Sequence, residues 1–164
     1  MIAAVAALTT VRQGRRAWRR ASRPDLEWEV ALVTGGDSAP EPSGQLEATF
    51  VNAGGGSAYS VKFLIVVGDA LVRGDLGIME RGRRRTVHAR EPLTVAEPHV
   101  GVVFYCRSDR TAEAVSTDDK QKTYRKRPWR GKPSIEDAFA DLYPNVTMAG
   151  LRRVEHTFPM LTQP

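Results

Sequence analysis

Cysteine occurs once in this 164-residue chain, at position 106. A single thiol cannot form an internal disulfide, and a zinc site of the Cys-x-x-Cys type needs two sulfurs. Cys106 alternates with Phe104 in an apolar stretch, which favours a buried, inert thiol over a reactive nucleophile. The length suits one domain with extensions, and it is enough to bury a hydrophobic core without covalent support.

Catalytic motifs are also missing from the sequence. It contains no phosphate-binding loop, Gly-x-Ser-x-Gly elbow, His-Glu-x-x-His helix or dinucleotide fingerprint. His88 and His99, with a carboxylate such as Glu97, are the one set with metal-binding chemistry, but they lack short-range ligand spacing. We therefore predict no catalytic residue, no metal and no cofactor, and an enzyme is disfavoured.

Acidic residues are absent from positions 1–24, which hold six arginines. The remaining 140 residues carry 18 basic and 19 acidic side chains, so the net charge of +5 belongs to the N-terminal segment. A basic nucleic-acid-binding body is disfavoured, because such proteins concentrate positive charge on the folded domain.

The first eleven residues, Met1–Val11, are apolar on every side of a helix, and a basic stretch runs from there to Pro24. Eleven residues span about 16 Å, whereas a bilayer core is about 30 Å thick. A signal peptide would carry its charges before the apolar run. Three interpretations remain: a monotopic anchor lying in the membrane surface; a start upstream of Met1, with a longer spanning helix preceding Val11; or a soluble helix that packs on the domain or in an oligomer.

An anchor of this kind would place its cations and its tryptophan at the lipid headgroups, on the cytoplasmic side. The residues predicted to contact a membrane or another anion are Arg12, Arg15, Arg16, Trp18, Arg19, Arg20 and Arg23.

From Asp25 onward, apolar residues recur at every second position, as in half-buried strands. The predicted strands are Asp25–Val33, Gln45–Asn52, Tyr59–Val67, Asp75–Glu80, Arg83–Arg90, Val100–Arg107 and Thr111–Thr117. Turn signals every 8–12 residues indicate an all-β, antiparallel β-sandwich of about seven strands. Tyr59–Val67 is the most hydrophobic strand and should lie centrally, and Trp28 should enter the core. Gly68–Gly74 reads as a turn, and Pro92 and Pro98 bracket a connection.

The C-terminal third reads as a basic linker, a short helix and a tail. Asp119–Pro133 holds seven Lys or Arg residues. Ser134 should cap a short helix whose first turn carries Glu136 and Asp137, where negative charge suits the helix dipole. The domain boundaries are therefore 1–24 for an N-terminal helix, 25–118 for the sandwich and 119–164 for linker, helix and tail.

The turn after the second predicted strand carries a recognisable motif. Asn52-Ala53-Gly54-Gly55-Gly56-Ser57-Ala58-Tyr59-Ser60-Val61 resembles the Asn-x-Gly-x-Gly-x-Ala-x-x-Val signature of bacterial immunoglobulin-like domains of the CARDB and adhesion-module type. Arg81 stands where that family usually has proline. The resemblance implies an immunoglobulin-like sandwich over about 25–117, used as a spacer, adhesion module or docking domain. The glycines of this turn are predicted to supply backbone angles that other residues resist, so for them and for Asn52 a role in turn geometry is favoured over ligand binding.

Together these features favour a non-catalytic protein-interaction domain on the inner face of a membrane. The expected partners are an anionic membrane surface and either an unidentified protein or further copies of the chain. The expected location is the cytoplasmic side of the membrane, or the cytoplasm. The alternatives are a structural subunit of a virion or surface assembly and, less favoured, a nucleic-acid-binding accessory protein that uses Arg15–Arg23 and Lys120–Lys132.

Overall fold

A computed structural model describes residues 22–34, 43–94, 99–108, 112–117, 123–125 and 134–158. Within these ranges the chain forms ten strands, one short helix and two sheets, so the predicted all-β class is confirmed. The predicted N-terminal helix and the arginines from Arg12 to Arg20 lie outside the described residues.

The strands follow one another with short connections. They are β1 (Leu26–Thr34), β2 (Ser43–Asn52), β3 (Ala58–Val67), β4 (Ala70–Met79), β5 (Arg84–Thr94), β6 (His99–Cys106), β7 (Ala112–Thr117), β8 (Thr123–Arg125), β9 (Arg152–Val154) and β10 (His156–Thr157), and helix α1 (Ile135–Leu142) follows β8. One sheet has the order β1-β2-β5-β10 and the other β8-β7-β6-β3-β4-β9. Every strand pair is antiparallel except β4 with β9.

The inward side chains of both sheets form one core between them. Trp28 of β1 stacks on Phe50 of β2 at 5.8 Å between ring centroids, and Phe50 meets Phe63 of the opposite sheet at 5.1 Å. The indole of Trp28 lies over Gly101, where an added Cβ would come within 2.3 Å of the ring. The predicted core position of Trp28 is confirmed, since two-residue alternation directs it between the sheets.

The six-stranded sheet is buried on both faces, which explains the unbroken apolar run at the end of β3. On its outer face, α1 covers residues that include Leu64, Val66, Val102 and Phe104. In the sheet order β3 lies between β6 and β4, so its predicted central position is confirmed.

Helix α1 begins where the sequence predicts. The Ser134 hydroxyl accepts a hydrogen bond from the Asp137 N–H at 3.0 Å, and the Asp137 carboxylate accepts one from the Ser134 N–H at 3.1 Å. This reciprocal pair satisfies two donors at the helix start. Ile135, Ala138 and Phe139 form the buried side of the helix.

Three local predictions are wrong. The turn predicted over Gly68–Gly74 is only Gly68 and Asp69, and β4 begins at Ala70. Pro92 lies within β5, opposite Gln45 of β2, and does not bracket a connection. The Cys106 side chain, predicted to be buried, is only half-buried and lies at the margin of the α1 contact.

A C-terminal strap, residues 152–158, joins the two sheets along one flank. β9 pairs with β4 at the margin of the six-stranded sheet, and β10 pairs with β5 at the margin of the four-stranded sheet. Further backbone hydrogen bonds of 2.8 Å run from Arg152 N–H to the Asp69 carbonyl and from Arg90 N–H to the Glu155 carbonyl. The strap therefore closes this flank of the sandwich, a role that the sequence did not predict.

His156 of the strap makes folding stability depend on pH. Its ring meets Phe63 and Phe158 edge-on, and burial, with the nearby charge of Arg90, holds its pKa below the ordinary value of 6.5. The unfolded chain therefore takes up a proton first as the pH falls. We expect the melting temperature to hold above about pH 6.5 and to fall as acidification continues toward the lowered pKa.

Thermal melts between pH 8 and pH 5 check this expectation. His156→Gln should flatten the dependence relative to the parent chain. An unchanged profile in His156→Gln would contradict the assignment.

Candidate functional site

Asn52, fully buried at the end of β2, organises one end of the sandwich. Its side-chain oxygen accepts hydrogen bonds from the N–H groups of Asp25 and Gly54, each at 3.1 Å. Its amide nitrogen donates to the carbonyls of Gly56 and Met79, each at 2.8 Å. One side chain thus ties together the chain entering β1, the β2–β3 turn and the end of β4, and the structural role predicted for Asn52 is confirmed.

The backbone of the same residue fixes the β4–β5 turn. The Asn52 N–H donates to the Arg83 carbonyl at 3.1 Å, and the Gly82 N–H donates to the Asn52 carbonyl at 2.8 Å. Gly82 has φ +73°, which favours glycine in this turn. The turn is therefore held directly beside Asn52.

Gly54 and Gly56 allow the incoming chain to cross the β2–β3 turn. An added Cβ would lie 2.2 Å from the Arg23 carbonyl oxygen at Gly54, and 2.2 Å from the Ser22 carbonyl oxygen at Gly56. Neither glycine has a positive φ. The sequence prediction that these glycines supply unusual backbone angles is wrong, because close backbone approach is what requires them.

These contacts bring four arginines to one end of the sandwich. We call this surface the basic pole and define it as Arg23, Arg81, Arg83 and Arg84. All four side chains are exposed. None forms an ion pair within 4.0 Å with any residue that the structure describes. The arginines that do pair with a carboxylate lie elsewhere: Arg73, Arg90, Arg107 and Arg152. The basic pole therefore presents cations that remain available to an external anion.

Acidic groups near the basic pole offset part of its charge. Arg84 shares an open depression of about 380 Å³ with Glu27 and Glu29 of β1, and Glu80 precedes Arg81 in the turn. Arg23, Arg81 and Arg83 do not line that depression.

Of the seven residues predicted to contact a membrane or anion, the structure describes Arg23, and it lies at the basic pole. Arg12, Arg15, Arg16, Trp18, Arg19 and Arg20 fall outside the described residues. The sequence reading missed Arg81, Arg83 and Arg84 as part of a surface, since it assigned them to a turn and a strand face. The run Arg81-Gly82-Arg83-Arg84-Arg85 was the available signal.

The candidate metal ligands are not brought together. His88 lies on the outer face of β5, its Nδ1 3.7 Å from a carboxylate oxygen of Glu47, while His99 begins β6 in the other sheet. Glu97 is outside the described ranges. In the part of the chain that is described, no group of three His, Cys, Asp or Glu side chains is placed to hold a metal ion.

A buried polar group ties β6 to β7. The Tyr105 hydroxyl donates to one Glu113 oxygen at 2.5 Å, and Arg107 donates to the other at 3.0 Å. Burial, together with the hydrogen bond to Glu113, raises the pKa of Tyr105 above its ordinary value of 10. The phenol therefore remains a neutral donor, and the group stabilises the hairpin.

The helix of the described ranges lacks the length and apolar character needed to cross a bilayer. Comparisons with protein-family models, curated proteins and solved structures give no significant match to this chain.

Proposed function

We propose that this protein is a non-catalytic binding domain of immunoglobulin-like form, held at an anionic membrane surface by its apolar and basic N-terminal segment, residues 1–23. Asn52, the buried polar residue of its most distinctive motif, serves the fold, since all four hydrogen bonds of its side chain are internal.

Strand order supports the immunoglobulin-like form. In such domains the first, second and fifth strands share one sheet, and the third, sixth and seventh share the other. Here β1, β2 and β5 are neighbours, as are β3, β6 and β7 in the order β7-β6-β3. β4 pairs with β3, whereas the constant-type domain pairs its fourth strand with the fifth.

The observation that carries the membrane proposal is the position of Arg23. The backbone at Ser22–Arg23 passes over Gly54 and Gly56, so Arg23, the last arginine of the basic segment, lies at the end of the sandwich that carries Arg81 and Arg83. Attraction between exposed charges decays over about 8 Å at physiological salt. Arginines that lie at one end can therefore act on the same surface, and arginines spread around the domain cannot.

The sign of the charge favours one side of the membrane. Anionic lipids give the cytoplasmic leaflet a negative surface potential, and arginine beside an apolar segment follows the positive-inside rule. The proposed location is therefore the cytoplasmic face.

Neutralising part of the segment tests the proposal. Each arginine near an anionic surface contributes about 1 kcal/mol, so Arg19→Gln with Arg20→Gln should weaken binding about thirtyfold. Sedimentation with phosphatidylserine–phosphatidylcholine vesicles measures this, and phosphatidylcholine vesicles serve as the uncharged reference.

Arg153→Gln is the matched control, because this exposed arginine on β9 pairs opposite Leu71, near the far end of β4. It should retain nearly full binding. Equal binding of the parent and the double variant, or equal binding to charged and uncharged vesicles, would reject the membrane proposal.

Assembly with further copies is the second candidate, and it draws on the edge strand β1. Within the described residues, β1 pairs only with β2, so its other edge is open to strand addition. Its outward side chains include Glu27 and Glu29, and charged residues are a common means of preventing such pairing. The membrane proposal is therefore favoured, and light scattering after size-exclusion chromatography separates the two, because assembly requires a defined oligomer without lipid.

A further inference from the structure

Exposed apolar side chains adjoin the basic pole. Among the described residues, three large hydrophobic side chains are exposed: Tyr59 at 39%, Ile78 at 52% and Phe158 at 44%. Two of the three, Tyr59 and Ile78, lie at the end of the sandwich that carries Arg81 and Arg83. Single exposed hydrophobic side chains are ordinary, so it is their position beside the arginines of the basic pole that calls for an explanation.

A β-bulge places these two side chains together. Ala58 pairs with Met79 and Val61 with Gly77, so Tyr59 and Ser60 of β3 lie opposite Ile78 of β4. Ser60 has φ +50°, in the left-handed region. A two-against-one bulge bends its strand and redirects side chains. Ala58 and Met79 are fully buried in the core, and Tyr59 and Ile78 are exposed beside them.

The helix does not cover this part of the sheet. The apolar contact of α1 involves residues farther along the strands, such as Leu64, Val102 and Phe104, and it does not include Tyr59 or Ile78. Two exposed apolar side chains, Tyr59 and Ile78, therefore stand at an end of the six-stranded sheet that α1 does not reach, and the β4–β5 turn follows Ile78 closely in the chain.

We propose that this edge, Tyr59 and Ile78 with Arg81 and Arg83, is a second membrane contact that inserts into the interfacial layer of an anionic bilayer and orients the sandwich on it. The inference rests on the proposed membrane association and adds the part of the folded domain that meets the lipid. Residues 1–23 supply the tether, and this edge fixes which end of the domain faces the bilayer.

The chemistry of the four side chains matches a lipid interface. Tyrosine has an apolar ring and a polar hydroxyl, and it is enriched at the level of the headgroups. Isoleucine gains free energy by entering hydrocarbon, and arginine forms charge-assisted hydrogen bonds with phosphate. A nucleic acid would engage the arginines and the tyrosine ring but offers no apolar environment for Ile78. An anionic bilayer satisfies all four.

A fluorescent label tests insertion directly. In the full chain with Cys106→Ser, Ile78→Cys is labelled with an environment-sensitive nitrobenzoxadiazole group, and Arg153→Cys is labelled in parallel. Arg153 pairs opposite Leu71, seven residues from Ile78 along β4, which is about 23 Å at 3.3 Å per residue. Phosphatidylserine–phosphatidylcholine vesicles should shift the emission at position 78 to shorter wavelength and leave the emission at position 153 unchanged.

The possible outcomes separate the two proposals. Vesicle binding with no spectral change at position 78, or with equal changes at both positions, would overturn the insertion of this edge and leave the N-terminal tether standing. Failure of the full chain to bind anionic vesicles would overturn both. Binding of single-stranded DNA or RNA that displaces the vesicles, with the same shift at position 78, would also overturn the lipid assignment.

Unlabelled variants give a second measurement. Tyr59→Thr and Ile78→Thr keep good strand propensity and remove apolar surface, so each should weaken vesicle binding roughly fivefold while the melting temperature stays near that of the parent. Unchanged binding by the double variant would contradict the proposal even if a label perturbed the site.

Discussion

Replacing Asn52 by alanine is expected to lower the free energy of unfolding by about 4 kcal/mol. The substitution leaves four backbone groups without their partner: the N–H groups of Asp25 and Gly54 and the carbonyls of Gly56 and Met79. Each buried group that loses its hydrogen bond costs about 1–3 kcal/mol, and the groups that water can reach cost the least.

Asn52→Asp separates hydrogen bonding from side-chain volume. Aspartate keeps an acceptor for Asp25 and Gly54, but it places a second oxygen against the Gly56 and Met79 carbonyls. At neutral pH it should be at least as destabilising as alanine, because a buried carboxylate is poorly solvated.

Chemical denaturation followed by circular dichroism measures the stability of both Asn52 variants. The control is Asn145→Ala, in an exposed turn, which should change stability by less than about 0.5 kcal/mol. Equal stabilities of the Asn52 and Asn145 variants would show that the buried amide does not hold this end of the fold.

Replacing Phe139 by alanine is expected to cost about 3–4 kcal/mol. Phe139 is the largest of the fully buried α1 residues that contact the outer face of the six-stranded sheet, and the centroid of its ring lies 5.1 Å from that of Tyr143. The Tyr143 hydroxyl in turn donates to the Gly101 carbonyl at 3.2 Å. Removing the ring leaves a cavity at the point where the helix is anchored.

Phe158→Ala is the matched control, because this ring is 44% exposed; its loss should cost less than about 1 kcal/mol. Urea denaturation of both variants gives the comparison. A small effect at Phe139, with no increase in the binding of a hydrophobic dye, would mean that the helix contributes little to covering the sheet.

The sequence predicts five strands well because an alternating or continuous apolar pattern is a local property. β1, β2, β3, β6 and β7 begin and end within one or two residues of their predicted limits. β1 and β2 alternate along their length, whereas β3 and β6 are predominantly apolar. The start of α1 was predictable for the same reason, since Ser134 and Asp137 are three residues apart.

β4 and the strap escaped prediction because distant residues determine them. Gly74, Asp75 and Gly77 interrupt the alternation of β4, and pairing with β3 on one side and β9 on the other keeps that segment extended. β9 and β10 have three and two residues, too few for a periodicity to be visible. Their pairing partners lie more than 60 positions earlier in the chain.

The candidate site, too, could be predicted from the sequence only in part. Arg23 and the run after Glu80 are both visible in the sequence, but their placement at one end depends on the contacts of Asn52, 27 residues from both Asp25 and Met79. Tyr59 reads as an ordinary strand residue, because nothing local reveals the bulge opposite Ile78.

The strap imposes an order on the formation of the fold during translation. Ala70 cannot pair with Arg152, nor Ala89 with His156, until those later residues have left the ribosome. Loop closure over such distances is slow compared with hairpin formation. The nascent sandwich therefore exposes the margins of β4 and β5 until residues 152–157 have emerged.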